Sequence, residues 1–155
     1  MSDNNIQLKK AKKKDFSKIA QIYSDSFSEY PYNEPWTLKK AIKKIKIFNK
    51  YCDIWKILYK EDLAGFIIVN PNQFLPGTIA FGEEIAIKKE LRGNGIGKNA
   101  LRKIIEIYNK KGFEIFMGIA NNNSKAFKLW KKLGIKESKE NILMEKQLNN
   151  KNNRE

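Results

Sequence analysis

The sequence predicts a single α/β domain, and three observations carry that prediction. Stretches with apolar residues at helical spacing take turns with stretches of apolar-rich, strand-like texture. Gly, Pro and Asn clusters punctuate the boundaries between them. A glycine-dense run, Arg92 to Gly97, sits at one strand-to-helix junction. The 155 residues suit one domain, since domains commonly run ~100–200 residues. A chain of this length buries a core without disulfide or metal staples.

Taken in order, Ile6 to Lys10 reads as a short first strand. Asp15 is placed to cap a helix whose apolar stripe is Phe16, Ile19, Ala20, Tyr23 and Phe27. Glu29 to Trp36 (EYPYNEPW) contains two prolines and interrupts helix. Thr37 then reads as the N-cap of a second helix carrying Leu38, Ala41, Ile42 and Ile45. Asp53 to Lys60 and Leu63 to Asn70 read as a strand hairpin joined through Glu61-Asp62. Pro71 to Gly77 is a loop, and Thr78 to Lys88 is strand-like again. Beyond the glycine run, Ala100, Leu101, Ile104, Ile105 and Tyr108 mark a helix that Gly112 stops. Phe113 to Ala120 reads as a strand, and Ser124 to Leu133 as a helix closed by Gly134. Ile142 to Leu148 alternates enough for a final strand. Residues 1–148 thus form one domain, with a polar tail expected over 149–155.

Composition excludes several chemistries. The 41% hydrophobic and 12% aromatic content argues against disorder. No run approaches the ~18 apolar residues of a spanning helix. The basic N-terminal stretch has no apolar segment behind it, so it is not read as a secretory signal. A single cysteine, Cys52, precludes an internal disulfide, and a reducing cytoplasm is the expected setting. The absence of histidine removes Ser-His-Asp and Cys-His nucleophile pairs, and no metal site is expected. Acid–base work therefore falls to carboxylates, tyrosine, lysine, backbone or water. A net charge of +14 raises a polyanion partner. The lysines, however, are spread over every segment, so nucleic acid is not the expected partner.

Glycines at a strand-to-helix turn let backbone approach a ligand closely and aim free helix-end amides at an anion. Arg92 to Gly97 is thus a phosphate or pyrophosphate cradle on physical grounds. A Walker A loop does not fit, because Gly93 to Gly97 is one residue short and Asn99 replaces the hydroxyl residue. A dinucleotide fingerprint fails too, since the run reads G-x-G-x-G.

The pattern [QR]-x-x-G-x-[GA], filled by Arg92, Gly95 and Gly97, resembles that of the GNAT superfamily of acetyl-CoA-dependent N-acetyltransferases. Asn123 to Ile135 (NSKAFKLWKKLGI) is similar to a second segment of that family, N-x-x-A-x-x-[LF]-Y-x-x-x-G-F. The resemblance covers Ile6 to about Leu148. It implies a mixed, mostly antiparallel, twisted sheet of about six or seven strands, splayed between the fourth and fifth and flanked by about four helices. It further implies acetyl-CoA in the splay. Ile85, Ala86 and Ile87 would bond its pantetheine arm, and Arg92, Gly93, Asn94, Gly95, Ile96 and Gly97 would hold the pyrophosphate. Lys98 would add charge, and Asn123 would stand on the opposite wall. Dimers occur in the family, so a homodimer is left open.

Acetyl transfer to an amine requires an acceptor for the amine proton and a donor for developing oxyanion charge. Glu83 and Glu84 are the base candidates. Strand alternation sets them on opposite faces, with Glu83 sharing parity with Ile85 and Ile87. A bulge there would swap the faces. Trp130 departs from the resemblance, which implies a tyrosine acting as acid toward the leaving sulfur. An indole N–H donates a hydrogen bond but delivers no proton, so Trp130 either packs against the cofactor or leaves the acid role to another group. The resemblance places the amine acceptor, a small molecule or a peptide, between the first two helices. There Glu29, Tyr30, Tyr32, Glu34 and Trp36 suit a cation through charge pairing and cation–π contact. The rival readings are a catalytically idle acyl-CoA-binding module and a basic polyanion-binding protein.

Overall fold

A computed structural model of the protein describes residues 5–148. The tail expected over 149–155 lies outside the described residues. Five strands form one sheet in the order β1-β2-β3-β4-β5. They are β1 (Ile6–Lys10), β2 (Asp53–Tyr59), β3 (Asp62–Asn70), β4 (Ile79–Ile87) and β5 (Ile115–Gly118). The first four pair antiparallel, and β5 runs parallel to β4. Four helices accompany them: α1 (Phe16–Phe27), α2 (Leu38–Phe48), α3 (Ile96–Lys110) and α4 (Lys125–Lys132). The α/β class and the mixed sheet are as expected from the sequence.

Strand alternation sorts the core into two layers. On one face Ile54, Phe66, Ile68 and Ala86 meet Ile19, Ala20 and Tyr23 of α1 and Ala41, Ile45 and Phe48 of α2. On the other, Trp55, Ile57, Ile67, Val69 and Ala80 meet Ile96, Ala100, Leu101, Ile104 and Tyr108 of α3, with Trp130 of α4. Thr37 caps α2 as expected, its hydroxyl accepting from Lys40 N at 3.2 Å. Ser124 does the same for α4 through Phe127 N at 3.1 Å. Asp15 differs from expectation: it occupies the N-cap of α1 without bonding the helix. Its carboxylate instead accepts from Lys12 N at 2.8 Å and pairs with Lys56 at 3.1 Å, fastening the helix start to β2.

The expected final strand, Ile142 to Leu148, does not form. That segment has no regular structure, and Ile142, Leu143 and Met144 are 71–84% exposed. Its apolar and polar residues fall in blocks, Ile142 to Met144 and then Glu145 to Gln147, so no face alternates along it. A strand exists only through a partner's hydrogen bonds, which local pattern does not supply. The sheet therefore has five strands among the described residues, with β1 and β5 at its two edges.

The feature that positions the site is the mismatch in length between β4 and β5. Their pairing covers Ile79–Gly82 against Ile115–Gly118 and then stops. β4 continues through Glu83 to Ile87 with β3 on one side only. The sheet splays there, as the resemblance implied for the fourth and fifth strands.

Candidate active site

A β-bulge sets the geometry of the two base candidates. The β3–β4 register runs Ile68↔Glu84 and then Val69↔Gly82, leaving Glu83 as the extra residue. The strict alternation expected of Glu83 and Glu84 is thereby lost, because a bulge inserts one residue on one strand. Glu84 shares its face with Ala86 and accepts a hydrogen bond from Tyr23 Oη of α1 at 3.1 Å. Glu83 accepts from Asn70 Nδ2 at 3.3 Å, and Asn70 also bonds Gln73. Burial is the largest influence on Glu84 and, with the nearby Glu34 and Glu83 charges, raises its pKa to about 7. The Tyr23 hydrogen bond and Lys44 oppose that rise. Tyr23 itself is held well above its ordinary value by burial and by the Glu84 carboxylate.

Both glutamates line one cavity in the splay, of about 50 Å³, with Tyr32, Ile85, Phe116 and Trp130 also on its wall. A single water needs only ~10–15 Å³ on this measure. Trp130 is buried, and its Nε1 has no hydrogen-bond partner among the described residues. Its ring lies so close over Gly118 that a Cβ there would be 2.2 Å from Trp130 Cη2. Native proteins leave few buried donors unpaired, since each costs ~1–3 kcal/mol. Ile85 and Ile87 edge the α3 layer, whereas Ala86 belongs to the α1/α2 layer.

Past β4 the chain makes a single 3-10 turn, Lys89–Leu91, and enters the glycine run. Gly93 and Gly95 have φ of +81° and +74°, a left-handed conformation in which side chains are strained. No atom lies within 4 Å of a Cβ placed on Gly93. A Cβ placed on Gly97 would lie 3.5 Å from Ile87 Cγ1 and 3.7 Å from Leu129 Cδ2, ordinary van der Waals distances. The first α3 bond is Asn99 N to Gly95 O at 3.1 Å. The amides of Ile96, Gly97 and Lys98 precede it, the group that an α-helix leaves free for an anion. Asn94 closes the turn through Leu91 O at 3.1 Å. Asn123 is exposed just before α4, its amide bonded to Asn121 Oδ1 at 2.9 Å.

The Arg92 side chain is engaged within the protein. Its guanidinium donates to Ile87 O at 2.9 Å, Glu29 Oε2 at 3.0 Å and Ser26 Oγ at 3.1 Å. Glu29, expected on the acceptor side as an amine-binding carboxylate, is paired through its other oxygen with Lys89 at 3.0 Å. Hydrogen bonds from Arg92 and Lys89 hold its carboxyl below the ordinary value.

The remaining acceptor-side residues divide. Tyr30 is 74% exposed. Trp36, Tyr23, Phe27 and Tyr32 form a row of rings with centroids 4.7–4.9 Å apart. Trp36 Nε1 donates to Glu34 Oε2 at 2.7 Å, directing that carboxylate toward the row. Sequence reasoning missed Tyr23 as a site residue, because its spacing reads only as part of the α1 apolar stripe. It also missed Ser26 and Lys44, which carry no motif.

This arrangement defines a class: a mixed sheet opened beside a glycine turn, with a near-neutral carboxyl at the opening. The chain belongs to the acetyltransferase (GNAT) family, whose profile matches residues 16–135. Its fold is shared by a possible acetyltransferase from Clostridium difficile 630, with a TM-score of 0.77 and 15% identity over 92% of this chain and 98% of that one. An aminoglycoside N-acetyltransferase solved in complex with CoA gives 0.69 and 13%, over 92% and 95%. An aminoglycoside acetyltransferase from an uncultured soil metagenomic sample, solved with sisomicin, gives 0.63 and 16%, over 94% and 97%. Among the described residues, no helix is long and apolar enough to cross a membrane, and no cluster of His, Cys, Asp and Glu could hold a metal ion.

Proposed function

We propose that the protein is an acetyl-CoA-dependent N-acetyltransferase that acetylates a primary amine of a small molecule or peptide by direct attack in a ternary complex. The observation that carries this reading is Glu84, a carboxyl held near neutrality where β4 opens toward the glycine turn. The cofactor fits the residues present. Gly93 to Lys98 offers left-handed glycines and free amides to a pyrophosphate, and the unpartnered Trp130 Nε1 offers a donor inside the splay. When bound, acetyl-CoA supplies an activated acetyl group as a thioester.

The chain's own residues divide the remaining work. Glu84 accepts the proton of the incoming amine, directly or through one water, and a base is most effective with a pKa near the working pH. Tyr23 orients Glu84 by its hydrogen bond. The outward-facing backbone N–H groups of Ile85 and Ile87 would provide donors for oxyanion charge and for the pantetheine arm, while the Ala86 amide lies on the β3 side of the ladder. Trp130 would offer its indole N–H to a cofactor bound in the splay and would release no proton. A thiol of pKa near ~8.5 leaves acceptably without an acid. Glu34, Trp36 and Tyr32 favour a cationic acceptor by charge and cation–π attraction. Placing the two reactants side by side supplies much of the remaining acceleration. Aminoglycoside-acetylating neighbours of the same fold make a small polyamine-like acceptor a natural first choice for screening.

Calorimetric titration with acetyl-CoA tests the reading, comparing the wild type with Gly95→Ala. Binding by the wild type that the variant loses supports the glycine cradle and leads to an amine screen by thiol release. No binding by the wild type sinks the acetyltransferase reading and returns attention to polyanions.

A further inference from the structure

We infer that Arg92 and Glu29 are a positioning pair that sets the acceptor-side turn against the cofactor turn, and are neither a phosphate ligand nor an amine-binding carboxylate. The inference rests on the acetyltransferase reading for what the two turns bind. Arg92 reaches three separate segments at once: the end of β4 through Ile87 O, α1 through Ser26 Oγ, and the turn after α1 through Glu29. Three acceptors in three directions match a planar guanidinium fork and not an ammonium. Arg92 stands immediately before Gly93, so its backbone is the entrance to the cradle.

Glu29 is the root of the acceptor-side turn. Its carbonyl accepts from Tyr32 N at 3.0 Å and Asn33 N at 2.9 Å, while Glu34 N returns to Phe27 O at 3.0 Å. Whatever fixes Glu29 therefore fixes Tyr32 and Asn33, and with them the approach of the chain to Glu34. Both of its carboxylate oxygens are occupied, one by Arg92 and one by Lys89. The pair is about one-third exposed, and solvent-exposed ion pairs contribute little to stability. Its consequence is placement of the two half-sites relative to each other.

Three variants test this: Glu29→Gln, Arg92→Lys and the double substitution. Two readouts apply, acceptor KM against acetyl-CoA Kd, and amide hydrogen exchange in the free protein. Each single variant should raise acceptor KM about three- to tenfold, the scale of one lost hydrogen bond. Glu29→Gln should leave the acetyl-CoA Kd within about twofold, and the double variant should be no worse than the worse single, as coupled residues are. Exchange at Tyr32, Asn33 and Glu34 should quicken in both singles. Weakened acetyl-CoA binding in Arg92→Lys, with acceptor KM unchanged in Glu29→Gln, would make Arg92 a phosphate ligand and overturn the pair. Additive losses in acceptor KM would overturn it also. Exchange needs no turnover, so unchanged exchange in both singles refutes the pair even if acetyl-CoA binding and the acetyltransferase reading have failed separately.

Discussion

Glu84 joins two opposed consequences in one side chain. As a base it should give kcat/KM an ascending limb with a midpoint near pH 7, since only the carboxylate accepts a proton. Glu84→Gln should abolish that limb and lower kcat by ~10²–10⁴, the usual share of a general base. Steady-state rates from pH 5.5 to 9, with the best amine found, check both. As a buried acid it should cost stability. In the unfolded chain the group ionises near the ordinary glutamate value of 4.5, whereas in the native state it stays protonated until about 7. Between those values the native state holds a proton that the unfolded state has released, so stability falls as pH rises through the window. Glu84→Gln should therefore match the wild type near pH 4.5 and exceed it by ~1–3 kcal/mol at pH 8. Denaturant melts at the two pH values measure the difference. Asp53 has the opposite sign. Burial pushes its carboxyl up, but hydrogen bonds from Lys10 and Tyr108 more than offset this and hold it below the ordinary value. Its contribution is present above the unfolded pKa and is lost as pH falls through the native one.

At the scale of elements, the glycines separate into those that packing requires and those that backbone conformation requires. A Cβ on Gly65 of β3 would lie 2.2 Å from Ala86 O of β4, backbone against which nothing can give. Gly65→Ala should cost more than ~3 kcal/mol or prevent folding, beyond ordinary overpacking. Gly118→Ala would drive a methyl into the Trp130 ring, whose shift is cheaper, at ~1–3 kcal/mol. Gly93→Ala meets no atom and should cost only the left-handed strain of ~1–2 kcal/mol. Thermal melts should rank the three in that order, and Gly93→Ala as the worst would contradict it. The elements were largely legible in the sequence: the stripe Phe16, Ile19, Ala20, Tyr23 and Phe27 gave α1, and Thr37 and Ser124 announced the starts of α2 and α4. The bulge at Glu83 was not legible, because it arises from the register of β3 against β4. Nor was the unpaired state of Ile142 to Leu148, for the same reason.

For the molecule as a whole, positive charge is general and negative charge is local. The chain carries 31 Lys and Arg against 17 Asp and Glu, while the carboxylates of Glu34 and Glu83 act on Glu84 at the cleft. A phosphate-bearing ligand is drawn to the surface and a cationic ligand to the opening. Acetyl-CoA affinity should accordingly weaken several-fold between roughly 0.05 and 0.5 M salt, as the screening length shrinks from ~14 Å to ~4 Å. Calorimetry at both salt concentrations reads this directly, and a salt-independent Kd would confine recognition to the amides of the glycine turn.

The sequence alone determined the α/β order, the glycine turn and its spacing, the carboxylate pair on β4 and the exclusion of histidine chemistry. These follow from local periodicity, local turn chemistry and residue identity, which need no knowledge of what lies across the fold. Tertiary structure alone decided that Glu84 faces Tyr23, that Trp130 Nε1 is left without a partner and that Arg92 ends on Glu29. The Tyr23–Glu84 and Glu29–Arg92 contacts join residues 61 and 63 positions apart. Contacts at such separations are set by sheet register and helix packing, and local sequence carries no signal for them.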